Sequence, residues 1–164
     1  MDFKKYVRDV KGRSDLTDIF IDPVVFSSVI AEMAKPFLNE RVDKVVALDA
    51  LGFVFGSRIA EEFNAGLVLM RKSGKLAIDK KISVPFVDYS GTNKTFEIPV
   101  GVINDGDQTL IVDDWSETGT QLKVAVELVE SVGGKVMGIT CFNIDKEVRA
   151  DIRFSKYRLS SVIN

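Results

Sequence analysis

Apolar residues in this chain follow two rhythms, and their alternation sets the first expectation of the fold. Val42 to Leu48, Leu67 to Met70, Thr109 to Val112 and Lys135 to Phe142 are short, mostly apolar runs of the kind that strands buried on both faces show. Segments with helical spacing lie between them. Asp22-Pro23 supplies an N-cap acceptor followed by proline at the first helical position. Val25, Val29, Ala31, Met33 and Phe37 then return to one face, which predicts a helix over about 22–35. Gly52 and Gly56 bracket the entry to a second helix through Ile59, Ala60 and Phe63. Leu122, Val126, Val129 and Val132 predict a third over about 119–131, ended by Gly133-Gly134. Strands near 82–89 and 95–100, with Ser90-Gly91-Thr92-Asn93 between them, suit a hairpin, and 152–159 suits an edge strand. The opening is less regular: Phe3 to Val10 fits a short helix, Gly12-Arg13-Ser14 punctuates the chain, and an apolar patch follows at Leu16, Ile19, Phe20 and Ile21.

Strand and helix alternate, so the expected fold is α/β, a mainly parallel twisted sheet flanked by helices and joined by right-handed crossovers. A chain of 164 residues holds one such domain, 1–164. Within it, about 1–38 would form a small N-terminal hood and helix, and about 71–107 a flexible loop and hairpin excursion. The plainest reading of that excursion, which opens with Arg71, Lys72, Lys75, Lys80 and Lys81, is a solvated one.

Composition removes several kinds of chemistry. The 22 basic and 24 acidic residues leave a net charge of -2, which gives no general attraction to nucleic acid or to anionic lipid, so any recognition of phosphate must be local. The chain has no histidine, which rules out a Ser-His-Asp triad, an HExxH metal site and an imidazole general base. Cys141 is the one cysteine, excludes an internal disulfide and reads as a small buried hydrophobe. The charged N-terminus lacks the apolar core of a signal peptide, and no apolar run approaches the roughly 20 residues that cross a bilayer, so a cytoplasmic protein is expected.

Ligands of open parallel sheets bind beyond the carboxyl ends of the strands. One strand end is loaded with chemistry: Leu110-Ile111-Val112, the carboxylates Asp113 and Asp114, then Trp115-Ser116-Glu117-Thr118-Gly119-Thr120-Gln121 leading into a helix. Gly119 lets the backbone bend close to a ligand, the free N–H groups of the helix start donate to an anion, and Thr118 and Thr120 add hydroxyls. Two carboxylates beside this cup suit the vicinal hydroxyls of a sugar. Together they describe a site for ribose 5-phosphate. Trp115 reads either as a core cap or as a lid over the sugar.

This segment resembles the phosphoribosyl diphosphate (PRPP) motif of the type I phosphoribosyltransferases. Asp49-Ala50-Leu51-Gly52-Phe53-Val54-Phe55-Gly56, with the later Arg71-Lys72-Ser73-Gly74-Lys75-Leu76, is similar to the paired motifs of the adenine phosphoribosyltransferase branch. The resemblance runs from about residue 42 to 145 and more loosely over 16–38. It implies a purine salvage enzyme that condenses PRPP with adenine to give AMP and diphosphate. Asp113 and Asp114 would hold the ribose hydroxyls, and Glu117, Thr118, Gly119, Thr120 and Gln121 the 5-phosphate. Asp49, Ala50, Leu51 and Gly52, a loop that includes a cis peptide in the family, would face the diphosphate with Arg71, Lys72 and Lys75. Asp88 would be the acid near the purine, and Leu16 and Ile19 would line the base. Mg2+ would be held through PRPP and water rather than by protein ligands directly, and a homodimer is implied.

Leu51 stands where the family usually has arginine, and Thr120 where it has a second glycine. These differences motivate an alternative, a non-catalytic PRPP- or nucleotide-binding regulator on the same fold, or an enzyme for a different base. A phospho-accepting receiver domain is the third reading, but its acidic pair should follow the first strand.

Overall fold

The computed structural model describes residues 1–87 and 91–163. Its elements are β1 (Arg8–Asp9), β2 (Ser14–Asp15), α1 (Thr17–Ile21), α2 (Pro23–Ala34), β3 (Lys44–Leu48), α3 (Gly52–Glu62), β4 (Gly66–Lys72), β5 (Lys81–Val87), β6 (Asn93–Pro99), β7 (Gln108–Ser116), α4 (Thr120–Ser131), β8 (Lys135–Ile144), α5 (Lys146–Arg149) and β9 (Arg158–Ile163). Among the described residues seven strands form the main sheet in the order β5-β6-β4-β3-β7-β8-β9. The five from β4 to β9 are parallel neighbours, and β6 and β5 add on antiparallel to the β4 edge.

The apolar runs became strands because both faces of the sheet are covered. On one face α4 and the β5–β6 hairpin close over Val46, Leu48, Met70, Ile111 and Ile139. On the other, α1, α2 and α3 cover Val45, Leu110, Val112 and Phe142. The Asp22 carboxylate accepts from the N–H groups of Val24 and Val25 at 2.9 and 3.1 Å and starts α2 where the Asp-Pro pair predicts. Gly56 allows α3 to lie directly on β3: a Cβ there would stand 2.4 Å from the Cβ of Ala47.

Three expectations change. The β5–β6 arms are not a solvated excursion but an extension of the sheet, because Phe86, Phe96 and Ile98 turn inward and bury against the α4 side. Residues 73–80, which connect β4 to β5, are mostly exposed. The edge strand lies later than 152–159, since the Asp151 side chain accepts from Arg153 N–H and winds Ile152–Phe154 into a 3-10 turn before β9 begins. At the N-terminus only Lys4–Tyr6 is helical, followed by the small β1–β2 hairpin. Among the described residues no helix is long and apolar enough to cross a membrane.

Candidate active site

Two strand–turn–helix junctions lie side by side at the carboxyl edge of the sheet, β7 into α4 and β3 into α3. β7 continues through Trp115 and Ser116, which pair with Asn143 and Ile144 of β8, so the acidic pair sits inside the strand rather than at its end. Asp113 is consequently buried, at 4% exposure, and its Oδ1 accepts the Asp114 N–H at 2.9 Å. Among the described residues it forms no salt bridge. Burial pushes the Asp113 carboxyl well above its ordinary range, and the neighbouring Asp114 carboxylate pushes it the same way, while Lys72 opposes both. Within the fold this carboxylate has one backbone donor and the distant charge of Lys72, which do not offset its burial, so further donors or a cation would stabilise its charged form.

The turn that follows is shaped by one glycine. Gly119 adopts φ +72°, and a Cβ there would meet the Phe154 ring at 2.9 Å and Val148 at 3.2 Å, so a side chain is excluded by both backbone and packing. Gly119 is also the N-cap of the 12-residue α4, whose first amides have no partner within the helix. The Thr118 hydroxyl donates to that of Thr120 at 3.1 Å and accepts from the Thr120 N–H at 3.4 Å. Hydroxyls and amides therefore gather around one point, as an anion site requires.

The β3–α3 junction is built differently. Asp49 is as buried as Asp113, but its carboxylate is satisfied. It accepts from Lys75 Nζ at 3.1 and 3.3 Å and from the Lys72 N–H at 3.3 Å, and lies 3.2 Å from Arg71 Nε. Arg71 also lies over the Phe53 ring, 5.5 Å from its centroid. The Asp49–Ala50 peptide bond is cis. Gly52 passes beneath the neighbouring junction, where a Cβ would stand 3.0 Å from Asp113 Oδ1 and from the Val112 carbonyl oxygen.

Both junctions open into one cleft of about 570 Å3. Its lining takes Asp49, Ala50 and Leu51 from the first turn, Asp113 through Gln121 from the second, Lys72 from β4, and Lys11 to Ser14 from the β1–β2 hairpin. A second cavity of about 530 Å3 shares Trp115 with the first and is bounded by Asn143, Ile144, Asp145, Lys146, Glu147, Arg149 and Ile163. Asn143 is buried there, and its side-chain amide donates to Asp145 Oδ1 at 2.6 Å. Trp115 packs toward Phe142, with ring centroids 6.4 Å apart, and borders both spaces.

Most residues singled out in the sequence converge on the cleft, with exceptions. Arg71 and Lys75 are held at Asp49 instead of lining it, Gly52 lies below its floor, and Leu16 and Ile19 are in the core beneath α2. Leu16, the N-cap of the five-residue α1, and Ile19 within it carry apolar side chains that are buried in the core and do not line the cleft. Asp88 lies outside the described residues. The hairpin residues Lys11 to Ser14 were not foreseen, and the signal available was a Lys-Gly turn dipeptide flanked by a further cation, Arg13.

Comparison with known proteins gives a consistent picture. A family model described as a phosphoribosyl transferase domain matches residues 25–164. An adenine phosphoribosyltransferase of Rhodopirellula baltica is 32% identical over 170 residues, covering 99% of this chain and 82% of the relative. Among solved structures, an adenine phosphoribosyltransferase from Rhodothermus marinus superposes with a TM-score of 0.90 at 27% identity, over 98% of this chain and 95% of that one. The APRTase of Giardia lamblia, complexed with 9-deazaadenine, does so at 0.89 and 26%, over 99% and 95%.

Proposed function

This chain belongs to the phosphoribosyltransferase family, on its adenine phosphoribosyltransferase branch, and from that premise we infer that it transfers the phosphoribosyl group of PRPP to adenine, giving AMP and diphosphate. The observation that carries the reading is Asp113, a buried carboxylate with no salt bridge among the described residues, beside Asp114 and next to a turn of amides and hydroxyls.

In this reading Asp113 and Asp114 accept the two ribose hydroxyls, which supply the donors that the fold withholds from Asp113. The amides from Thr118 to Gln121 and the Thr118 and Thr120 hydroxyls take the 5-phosphate, with Gly119 giving the approach and Glu117 on the rim. The pentose is thereby fixed at both ends. Asp49, Ala50 and Leu51 face the diphosphate with Lys72. The bond from the anomeric carbon to the diphosphate oxygen breaks as a purine ring nitrogen bonds to that carbon, and the nitrogen's proton departs. Positive charge develops on the sugar ring in the transition state, so positioning and fixed charges supply most of the rate and no histidine is needed. Asp88 is assigned to the purine's proton from the resemblance alone.

The adenine ring is placed in the second cavity, against Trp115 and Ile144, with Asn143 and Asp145 facing its polar edge. Mg2+ suits the hard oxygen donors Asp113 and Asp114, which would hold it mostly through water and the ligand's own oxygens. When bound, the ion neutralises charge on the departing diphosphate. A homodimer is supported by the exposed apolar side chains Val54 of α3 and Leu67 and Leu69 of β4. The same reading places the protein in the cytoplasm.

The test is to supply PRPP, Mg2+ and single bases and to measure nucleotide. AMP and diphosphate are expected in equal amounts with adenine, and guanine or hypoxanthine should react far more slowly. PRPP binding without a product from any base would select the regulatory alternative, and absence of both would reject the assignment.

A further inference from the structure

The charge balance of the cleft depends on the N-terminal hairpin. Four acidic residues line it, Asp49, Asp113, Asp114 and Glu117, against three cationic ones, Lys11, Arg13 and Lys72. Two of the three cations therefore come from the hairpin tip. The basic residues expected to fill this role from β4 and the loop after it are otherwise engaged, since Arg71 and Lys75 are paired with Asp49. Leu51, exposed on the cleft wall, supplies no charge. Without the hairpin, a pentose phosphorylated at both ends would meet, besides the neutral amides and hydroxyls of the turn, four acidic side chains and a single ammonium group, Lys72.

The hairpin is built to hold its tip in place. Val10 and Arg13 exchange backbone hydrogen bonds at 2.9 and 3.2 Å across a two-residue turn in which Lys11 and Gly12 both have positive φ, 55° and 75°. These are the dihedrals of a tight hairpin turn whose twist matches its strands. The Asp9 carboxylate accepts the Gly12 N–H at 2.8 Å. Arg8 forks onto Asp18 of α1 at 2.6 and 2.7 Å and fastens the hairpin to the hood. In contrast, the Lys11 and Arg13 side chains form no salt bridge among the described residues.

We propose that Lys11 and Arg13 are phosphoryl-binding residues of this site, closing over PRPP from the hood and supplying the positive charge that Leu51 and the Asp49-bound Arg71 and Lys75 do not. The inference rests on the PRPP reading above. The ligand chemistry is a phosphoryl oxyanion, and it has two sources within PRPP, the diphosphate and the 5-phosphate.

The test compares the full chain with Lys11→Ala, Arg13→Ala and the double variant, by calorimetric titration with Mg-PRPP and by steady-state kinetics. Each single change should weaken PRPP about tenfold, as loss of an ionic hydrogen bond does. The KM for adenine should stay within about twofold and the salt dependence of PRPP binding should flatten. The charge-conserving Lys11→Arg and Arg13→Lys should retain most of the affinity, which a merely structural role of the hairpin would not require. Separate titrations with pyrophosphate and ribose 5-phosphate assign the end that is held: a loss confined to one identifies that phosphoryl group. Wild-type binding of PRPP that is unchanged in the double variant would overturn the proposal alone. Absence of PRPP binding by the wild type would overturn it together with the assignment it rests on.

Discussion

Asp49, just after β3, and Asp113, inside β7, are nearly buried carboxylates of two neighbouring strand–turn–helix units, yet their surroundings are opposite. Asp49 gathers Lys75, Arg71 and a backbone N–H from β4. Asp113 has one backbone N–H and a second carboxylate. The first junction is complete without a ligand, and its carboxylate fastens β3 to β4. The second has acceptors left over, which in the proposed reading take donors from the ribose. Burial alone does not make a carboxylate a binding candidate; burial without a cationic partner does.

The comparison predicts that Asp113→Asn combined with Asp114→Asn weakens PRPP by at least about 100-fold in calorimetry while Tm does not fall, because the change removes an uncompensated buried charge. Asp49→Asn should behave in the opposite way. It strips the partner from Arg71 and Lys75 and should cost about 2 kcal/mol in denaturant unfolding, with a smaller loss of PRPP affinity than the double variant. Gly56→Ala extends the contrast to the helix behind Asp49. The added methyl collides with Ala47 and should cost about 1–2 kcal/mol of stability while the KM for PRPP stays within about twofold.

The smallest effect is on the pH dependence of the unliganded protein. Because the Asp113 carboxyl is raised in the folded state, the native protein binds more protons than the unfolded chain between the ordinary value of 3.8 and the raised one. Its stability therefore falls as pH rises through that window. Asp113→Asn lacks this slope, so its Tm should gain on the wild type as pH rises above the ordinary carboxyl value of 3.8. A constant difference would mean that Asp113 is ionised as readily as an exposed carboxylate.

What was legible in the sequence follows the same division. The β7–α4 segment is local, twelve consecutive residues, and their order alone pointed to the carboxylates, glycine and hydroxyls that the fold brings together in the cleft. The state of Asp49 depends on Arg71 and Lys75, more than twenty residues away, and without the β3–β4 pairing their charges read as free. Lys11 and Arg13 lie about a hundred residues before the turn they face, and only the hood's docking brings them to it. Leu16 and Ile19 show the converse: the family resemblance implies that they line the base, whereas their side chains pack into the core. The extension of β7 by Trp115 and Ser116 comes from pairing with β8, which the polar residues after Asp114 conceal.

The most direct measurement is a crystal structure of the protein with Mg-PRPP. The account predicts ribose hydroxyl oxygens within hydrogen-bonding distance of the Asp113 and Asp114 carboxylates and the 5-phosphate among the Thr118 to Gln121 amides. Density for the sugar phosphate at any other place, with those two carboxylates still facing water, would contradict it.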